Sequence, residues 1–199
     1  MKNAIKGLAI ASLVEDVRQR IRSGDLPESE IGKRLAPEDL AVLDEALDPF
    51  GWYPIACYER LTEALRAWTP GADEAWLRER GAAAARRLLE RGLYQQLDAL
   101  RQGRRAWTPE TYLSRVRLIA TLHGSLLSFS KWSVERDPDH ERRVRIVIAE
   151  AGDFPEVLRH VTEGFMNACV DAAGGAHGWR SERIARDRIV IRMDADANV

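Results

Sequence analysis

The chain has 199 residues, of which 45% are hydrophobic and 31% charged, and its formal net charge is −1. Those proportions suit a globular chain with one substantial core and exclude a basic protein steered onto nucleic acid by its overall field. Two cysteines and four histidines exclude a disulfide framework, and no HxxH, HxxxH or HExxH spacing offers a helical metal site.

Lys2 and Lys6 precede an apolar run, Gly7 to Val14, that Glu15 and Asp16 interrupt. The run is far shorter than the roughly 18–20 apolar residues needed to cross a bilayer. An unprocessed, cytoplasmic chain with no membrane contact is expected. Leu13, Val14, Val17 and Ile21 share a helical face and predict a helix from about Ala11 to Arg22, closed by Ser23-Gly24-Asp25. Pro37-Glu38-Asp39 opens another helix, because a proline and two acids suit a first turn and its dipole. Leu40, Leu43 and Leu47 follow on one side until Pro49.

Phe50-Gly51-Trp52-Tyr53-Pro54 is a junction, biased to extended geometry by its proline. Pro54 then starts a helix carrying Cys57, Tyr58, Leu61, Ala64 and Leu65. The two aromatics before the proline read as an anchor seating that helix in the core, or as the wall of a ligand pocket. From Ala72 to Leu100 the pattern stays helical, and the small residues between Gly81 and Arg87 allow close approach of another helix. Gly92 breaks or bends that stretch, and Gly103 begins a loop. Trp107-Thr108-Pro109-Glu110 opens the next helix, with Thr108 as a good N-cap. It carries Tyr112, Val116, Ile119, His123, Leu126 and Leu127.

The pattern changes at about Leu127. LSFSKWSVE alternates loosely and VRIVIAE firmly, with turn residues at Asp137-Pro138-Asp139-His140, so an antiparallel hairpin is expected. Phe154 to Gly175 then reads as a helix striped by Leu158, Val161, Phe165, Ala168, Cys169 and Ala172, opened by Pro155 and stopped by Gly174-Gly175. His177 to Arg183 pairs with Ile189 to Met193 as a second hairpin. The expected class is α+β: an N-terminal helical layer packed on a small, mostly antiparallel C-terminal sheet with a crossover helix. One domain over 1–199 is expected, with subregions at 1–50, 51–126 and 127–193.

Candidate chemistry is sparse. Cys57 and Cys169 are expected to be free, buried and reduced. Cys169 lies towards a helix C-terminus, the wrong end of the dipole to favour a thiolate. No G-x-S-x-G, P-loop or G-x-G-x-x-G is present, and no catalytic residue is assigned. Among the histidines, His140 sits in a turn and His160 one residue from the stripe. His123 stands within an apolar helical stretch beside Gly124, and a buried core histidine is the plainer reading of it. His123, Trp132, Val161, Phe165 and Cys169 are the candidate lining of a ligand pocket. No metal and no cofactor are expected.

The order L-x-P-E-D-x-x-x-L, G-W-Y-P-x-x-x-Y-x-x-L and R-H-V-T-E-G-F-x-x-A-C-x-x-A-A-G-G resembles a family common in myxobacteria. Its members look related to the four-vinyl-reductase domain and, more remotely, to the haem-dependent nitric-oxide-binding domain. The likeness runs from Lys6 to Met193, and its most specific pieces are Trp52-Tyr53-Pro54 and Glu163-Gly164-Phe165 through Gly174. It implies a helical layer over a C-terminal sheet around an apolar pocket, and sensing or carrying rather than turnover. Two departures stand out. Ala185-Arg186-Asp187-Arg188 replaces the Gly-Asp-x-x-Cys turn of many four-vinyl-reductase-like chains. Tyr112-Leu113-Ser114-Arg115 is one residue short of the Tyr-x-Ser-x-Arg motif that grips haem propionates, so the haem site is not carried over.

The expected function is therefore a non-enzymatic module that binds a small apolar or amphipathic ligand and signals to a regulatory partner. A protein–protein or homodimerisation module without a ligand is the alternative, and an enzyme comes third. No nucleic acid partner is expected.

Overall fold

In the computed structural model, residues 3–90, 109–140, 143–172 and 178–193 are described. The chain divides into two compact units, Met1–Glu74 with Leu126–Phe129, and Ala75–Ser125 with Ser130–Val199. The α+β class holds: helices are combined with small antiparallel sheets.

In the first unit, β1 (Ala4–Lys6) leads into α1 (Gly7–Ser23), α2 (Glu28–Arg34) and α3 (Pro37–Asp44). β2 (Trp52–Pro54) and α4 (Ile55–Ala67) complete it. The stripe read in α1 is the buried one, since Leu13, Val14 and Val17 are all buried, joined by Ile10. The helix closes at Gly24, whose φ of 77° is the left-handed conformation that glycine adopts without steric cost. At the start of α3, Asp39 is fully buried; it accepts Ala36 N–H at 2.9 Å and the Arg60 guanidinium at 2.6 and 2.8 Å.

β1 lies outside the helical reading of the first fifty residues. It pairs antiparallel with β2, placing Ile5 opposite Tyr53. The remote segment 126–129 joins the other side: Lys6 N–H donates to Leu126 O and Ser128 N–H to Ala4 O, both at 2.9 Å. Leu126 and Leu127, read as the end of a helix, are instead part of this ribbon. The aromatic junction is extended, as its proline predicts, but the two aromatics before that proline differ as anchors. Trp52 is 39% exposed and is no core anchor, while Tyr53 is half-buried and its hydroxyl accepts Asp48 N–H at 2.9 Å. Pairing with β1 fixes the alternation of β2, and Trp52 faces outward beneath the Lys6 ammonium, 4.0 Å from its ring centre.

The second unit holds α5 (Glu74–Glu90, all but its first residue), α6 (Pro109–Gly124), β3 (Lys131–Arg136) and β4 (Val144–Ala149). It ends with α7 (Glu156–Ala172), β5 (Trp179–Ala185) and β6 (Arg188–Met193). Both expected hairpins form, and the sheet order is β3-β4-β6-β5 with every pair antiparallel. Ile146, Val147 and Ile148 lie opposite Ile191, Val190 and Ile189, a paired apolar centre. The chain leaves β4, crosses as α7 and returns at the sheet edge as β5. The breaks read at Gly92 and Gly103, the Thr108 cap and the Gly174-Gly175 stop lie outside the described residues.

The small residues of α5 serve the close approach they suggested, and the helix they admit is α7. A Cβ on Gly81 would stand 1.9 Å from Val161 O, and one on Gly164 would stand 1.8 Å from Arg78 O. The two helices therefore meet backbone to backbone, each glycine set against the other helix. Gly164→Ala is expected to destabilise by roughly 1–3 kcal/mol or more, because overpacking outweighs the helix-propensity gain of about 1 kcal/mol. Gly32→Ala, with nothing within 4 Å of its added carbon, should show only the gain. Urea denaturation of both variants checks the contrast; equal effects would refute the crossing.

Candidate functional site

α7 presents different chemistry on each of its faces. Towards α6 it carries Thr162 and Phe165, with Cys169 one turn further on, all three buried. His123 meets this face: its Nε2 lies 3.1 Å from Thr162 Oγ1, and its ring centre is 4.6 Å from that of Phe165. Trp132 closes the ring edge-on at 5.1 Å, with its own Nε1–H donating to Ser130 Oγ at 3.0 Å. Phe154 stands beyond Trp132 at 6.5 Å. Burial lowers the His123 pKa to about 4, so the imidazole is neutral, and its Nδ1 is buried without a hydrogen bond. Cys169, one turn past Phe165, has its thiol pushed up to about 12 by burial.

The structure thus sets Trp132 and Phe165 each against the His123 ring. Val161 is placed elsewhere: it packs with Val157, Leu77 and Trp76, on the side of α7 that meets α5. Thr162, the polar partner of His123, was not singled out from the sequence, where a threonine within a helix carries no distinguishing signal.

Towards α5 and β5, α7 carries a buried charge. Glu163 is 1% exposed and is gripped from two elements. Arg78 Nε donates to its Oε1 at 2.6 Å, while Ser181 N–H and Oγ–H donate to its Oε2 at 2.9 and 2.7 Å. Burial by itself would raise this carboxyl; the Ser181 hydrogen bonds and the Arg78 cation outweigh it and hold the pKa below the usual range. The network continues outward. Arg159 donates to Ser181 O and Oγ at 2.8 and 2.9 Å, and His160 lies between Arg159 at 3.1 Å and Arg78 at 3.5 Å. Glu163 had appeared in the sequence only within a motif, with no role, because its partners lie on α5 and β5.

Beside this network an open groove of about 740 Å³ runs between α5 and α7. Ala75, Ala82, Leu89, Gly164, Ala168 and Ala172 supply its apolar surface. Arg78, Glu79 and Arg86 of α5, Asn167 and Asp171 of α7, and Arg180 of β5 supply its polar rim. Among the described residues no group of three or more His, Cys, Asp or Glu is arranged to hold a metal ion. None of the described helices is long and apolar enough to cross a membrane.

No family model matches the chain, and no curated protein matches it. Solved structures do. An H-NOX protein mutant from K. algicida in the Fe(II) unliganded state aligns with a TM-score of 0.60, covering 96% of this chain and 98% of that one at 13% identity. The fold is that of the H-NOX domain. A mutant H-NOX from T. tengcongensis aligns with a TM-score of 0.56, covering 98% of this chain and all of that one (100%), at 11% identity. A structure concerned with haem distortion in the H-NOX family gives 0.57 at 12% identity, over 98% and 97% of the two chains. The resemblance to the haem-nitric-oxide-binding domain is therefore supported at the level of the H-NOX fold.

Two expectations follow from the geometry. Because His123 is held neutral, its contribution to stability is complete above its unfolded pKa near 6.5 and declines as pH falls towards 4. Wild-type protein should lose roughly 2–3 kcal/mol from this group between pH 7 and 4.5, a component absent from His123→Leu when urea unfolding is followed at both pH values. Equal pH dependence in the two proteins would place the imidazole in solvent. Glu163→Ala should cost roughly 3–5 kcal/mol, since it leaves the Arg78 charge and the Ser181 donors without their acceptor. Thermal and urea unfolding measure it, and a loss below about 1 kcal/mol would contradict the network.

Proposed function

We propose that this chain is a non-enzymatic sensory module that binds a small amphipathic organic molecule in the groove between α5 and α7. The groove is the observation that carries the reading: its volume falls within the few hundred to about a thousand Å³ typical of small-molecule sites, and it joins an apolar floor to a charged rim. The fold supports the sensory part, since one of the similar structures concerns H-NOX activation (TM-score 0.57, 9% identity). The motif likeness to the four-vinyl-reductase domain points the same way, towards an organic ligand.

Haem is the group that the similar structures bring to mind, one being an Fe(II) protein and another concerning haem distortion. It needs an axial ligand and room for a porphyrin beside that ligand. The described residues do not fit it. Phe165 and Trp132 close on the His123 ring, and Thr162 engages its Nε2. His160 is held between two guanidinium groups. Cys57 and Cys169 are buried thiols with raised pKa values. The same protonated thiols favour a binding role over nucleophilic catalysis and suit a reducing, cytoplasmic setting.

A second reading, a homodimerisation or regulatory-partner module, draws on the first unit. There Phe50 stands almost fully exposed on a tight loop: its N–H donates to Asp48 Oδ1, and its carbonyl accepts the Lys6 ammonium, both at 2.9 Å.

Native mass spectrometry of protein purified from its own host tests both readings. The expected result is a monomer carrying an organic adduct, with no Soret band after expression with a haem precursor. A dimer without adduct would favour the second reading, and a Soret band abolished by His123→Ala would overturn the exclusion of haem.

A further inference from the structure

The α5–α7 groove lies beside the point where the helices touch at Gly81 and Gly164, and small residues, Ala82, Gly164 and Ala168, form its floor there. Above this apolar floor the rim is charged. Arg78 and Arg86 reach it from α5 and Arg180 from β5, so guanidinium groups flank the groove from two elements. The opposing acids are Glu79, which Arg86 engages as an ion pair, and Asp171, whose pKa burial raises. Glu163 lies behind the floor with its charge matched by Arg78 and by the Ser181 donors.

Three guanidinium groups thus meet an occupant, and an arginine in a protein does not lose its proton. A wholly apolar ligand would strip water from them without replacing its hydrogen bonds, which is unfavourable. A ligand with an apolar body and an oxyanion head supplies those hydrogen bonds, since a carboxylate matches the planar fork of arginine donors.

We infer that the groove selects an amphipathic carboxylate, its aliphatic or aromatic body on the Ala82–Ala168 floor and its carboxylate at Arg86 and Arg180. This rests on the small-molecule reading above and adds the chemical class of the ligand. Arg180 also lies 3.4 Å from Glu163, and its neighbour Ser181 donates to the same carboxylate. A carboxylate on Arg180 therefore competes with Glu163 for that guanidinium, coupling occupancy of the groove to the seating of β5 on α7.

The test is isothermal titration calorimetry of the full chain with decanoate and with decanol, both below their aggregation limits. Decanoate should bind about tenfold or more tightly than decanol, the margin of one charge-assisted contact. Arg180→Gln and Arg86→Gln should each reduce decanoate affinity by about the same factor and leave decanol unchanged, because only the head group is lost. Arg180 is an exposed residue of an edge strand, so its variant keeps the core intact. Ala168→Trp, or Ala82→Phe should the first fail to fold by circular dichroism, should abolish both ligands by filling the floor. Equal affinity for acid and alcohol, or indifference of decanoate to both arginine variants, overturns the carboxylate class and leaves the groove standing. Binding of neither probe also overturns the class. A host-derived adduct retained by the floor-filling variant overturns the groove itself, and with it the small-molecule site.

Discussion

Backbone contact between α5 and α7 is the constraint on which the second unit depends. Two glycines, each facing a carbonyl of the other helix, remove the layer of side chains that ordinarily separates packed helices. The helices come close enough for Glu163, beside Gly164, to meet Arg78 directly. Beside that contact the groove floor carries alanines, at Ala82 and Ala168. One steric fact thus sets the ion pair, the groove and the placement of α7 between α5 and the sheet.

Two buried polar groups on neighbouring elements are handled in opposite ways. Glu163 stays charged because every oxygen has donors: a guanidinium, a backbone N–H and a hydroxyl. His123 stays neutral because burial penalises its charged form, and among the described residues one hydroxyl and two aromatic rings stand against its ring. The difference follows from the cost of burying charge, which is met only by multiple charge-assisted hydrogen bonds. It also separates the two faces of α7 by role. The His123 face is a packed aromatic cluster, and the Glu163 face adjoins an open groove.

The chain has the H-NOX fold, and His123 within it is enclosed by aromatic rings. Architecture at this level of sequence identity fixes the layers and the order of strands, while the chemistry resides in particular side chains. Here those side chains direct attention from the interior of the α6–α7 packing to the α5–α7 surface. The expected pocket was drawn around His123, Trp132, Val161, Phe165 and Cys169; three of these meet, and Val161 belongs to the seam with α5.

The sequence by itself determined the secondary structure of the second unit and its α+β class. Alternation in Val144–Ile148 and the helical stripe from Leu158 to Cys169 are local signals, and local sterics and burial decide them. It also showed that α5 could be approached closely, since small residues are visible without knowing the partner. Which helix approaches, and that Glu163 is thereby joined to Arg78 and Ser181, depended on contacts across tens of residues that leave no periodic trace. β1 was illegible for the same reason. Three residues form a strand there only because β2 and the segment 126–129 supply partners for their backbone groups. The exposure of Trp52 followed from that pairing: an aromatic residue reads as core in sequence, and only the register of β2 on β1 decided that it faces outward.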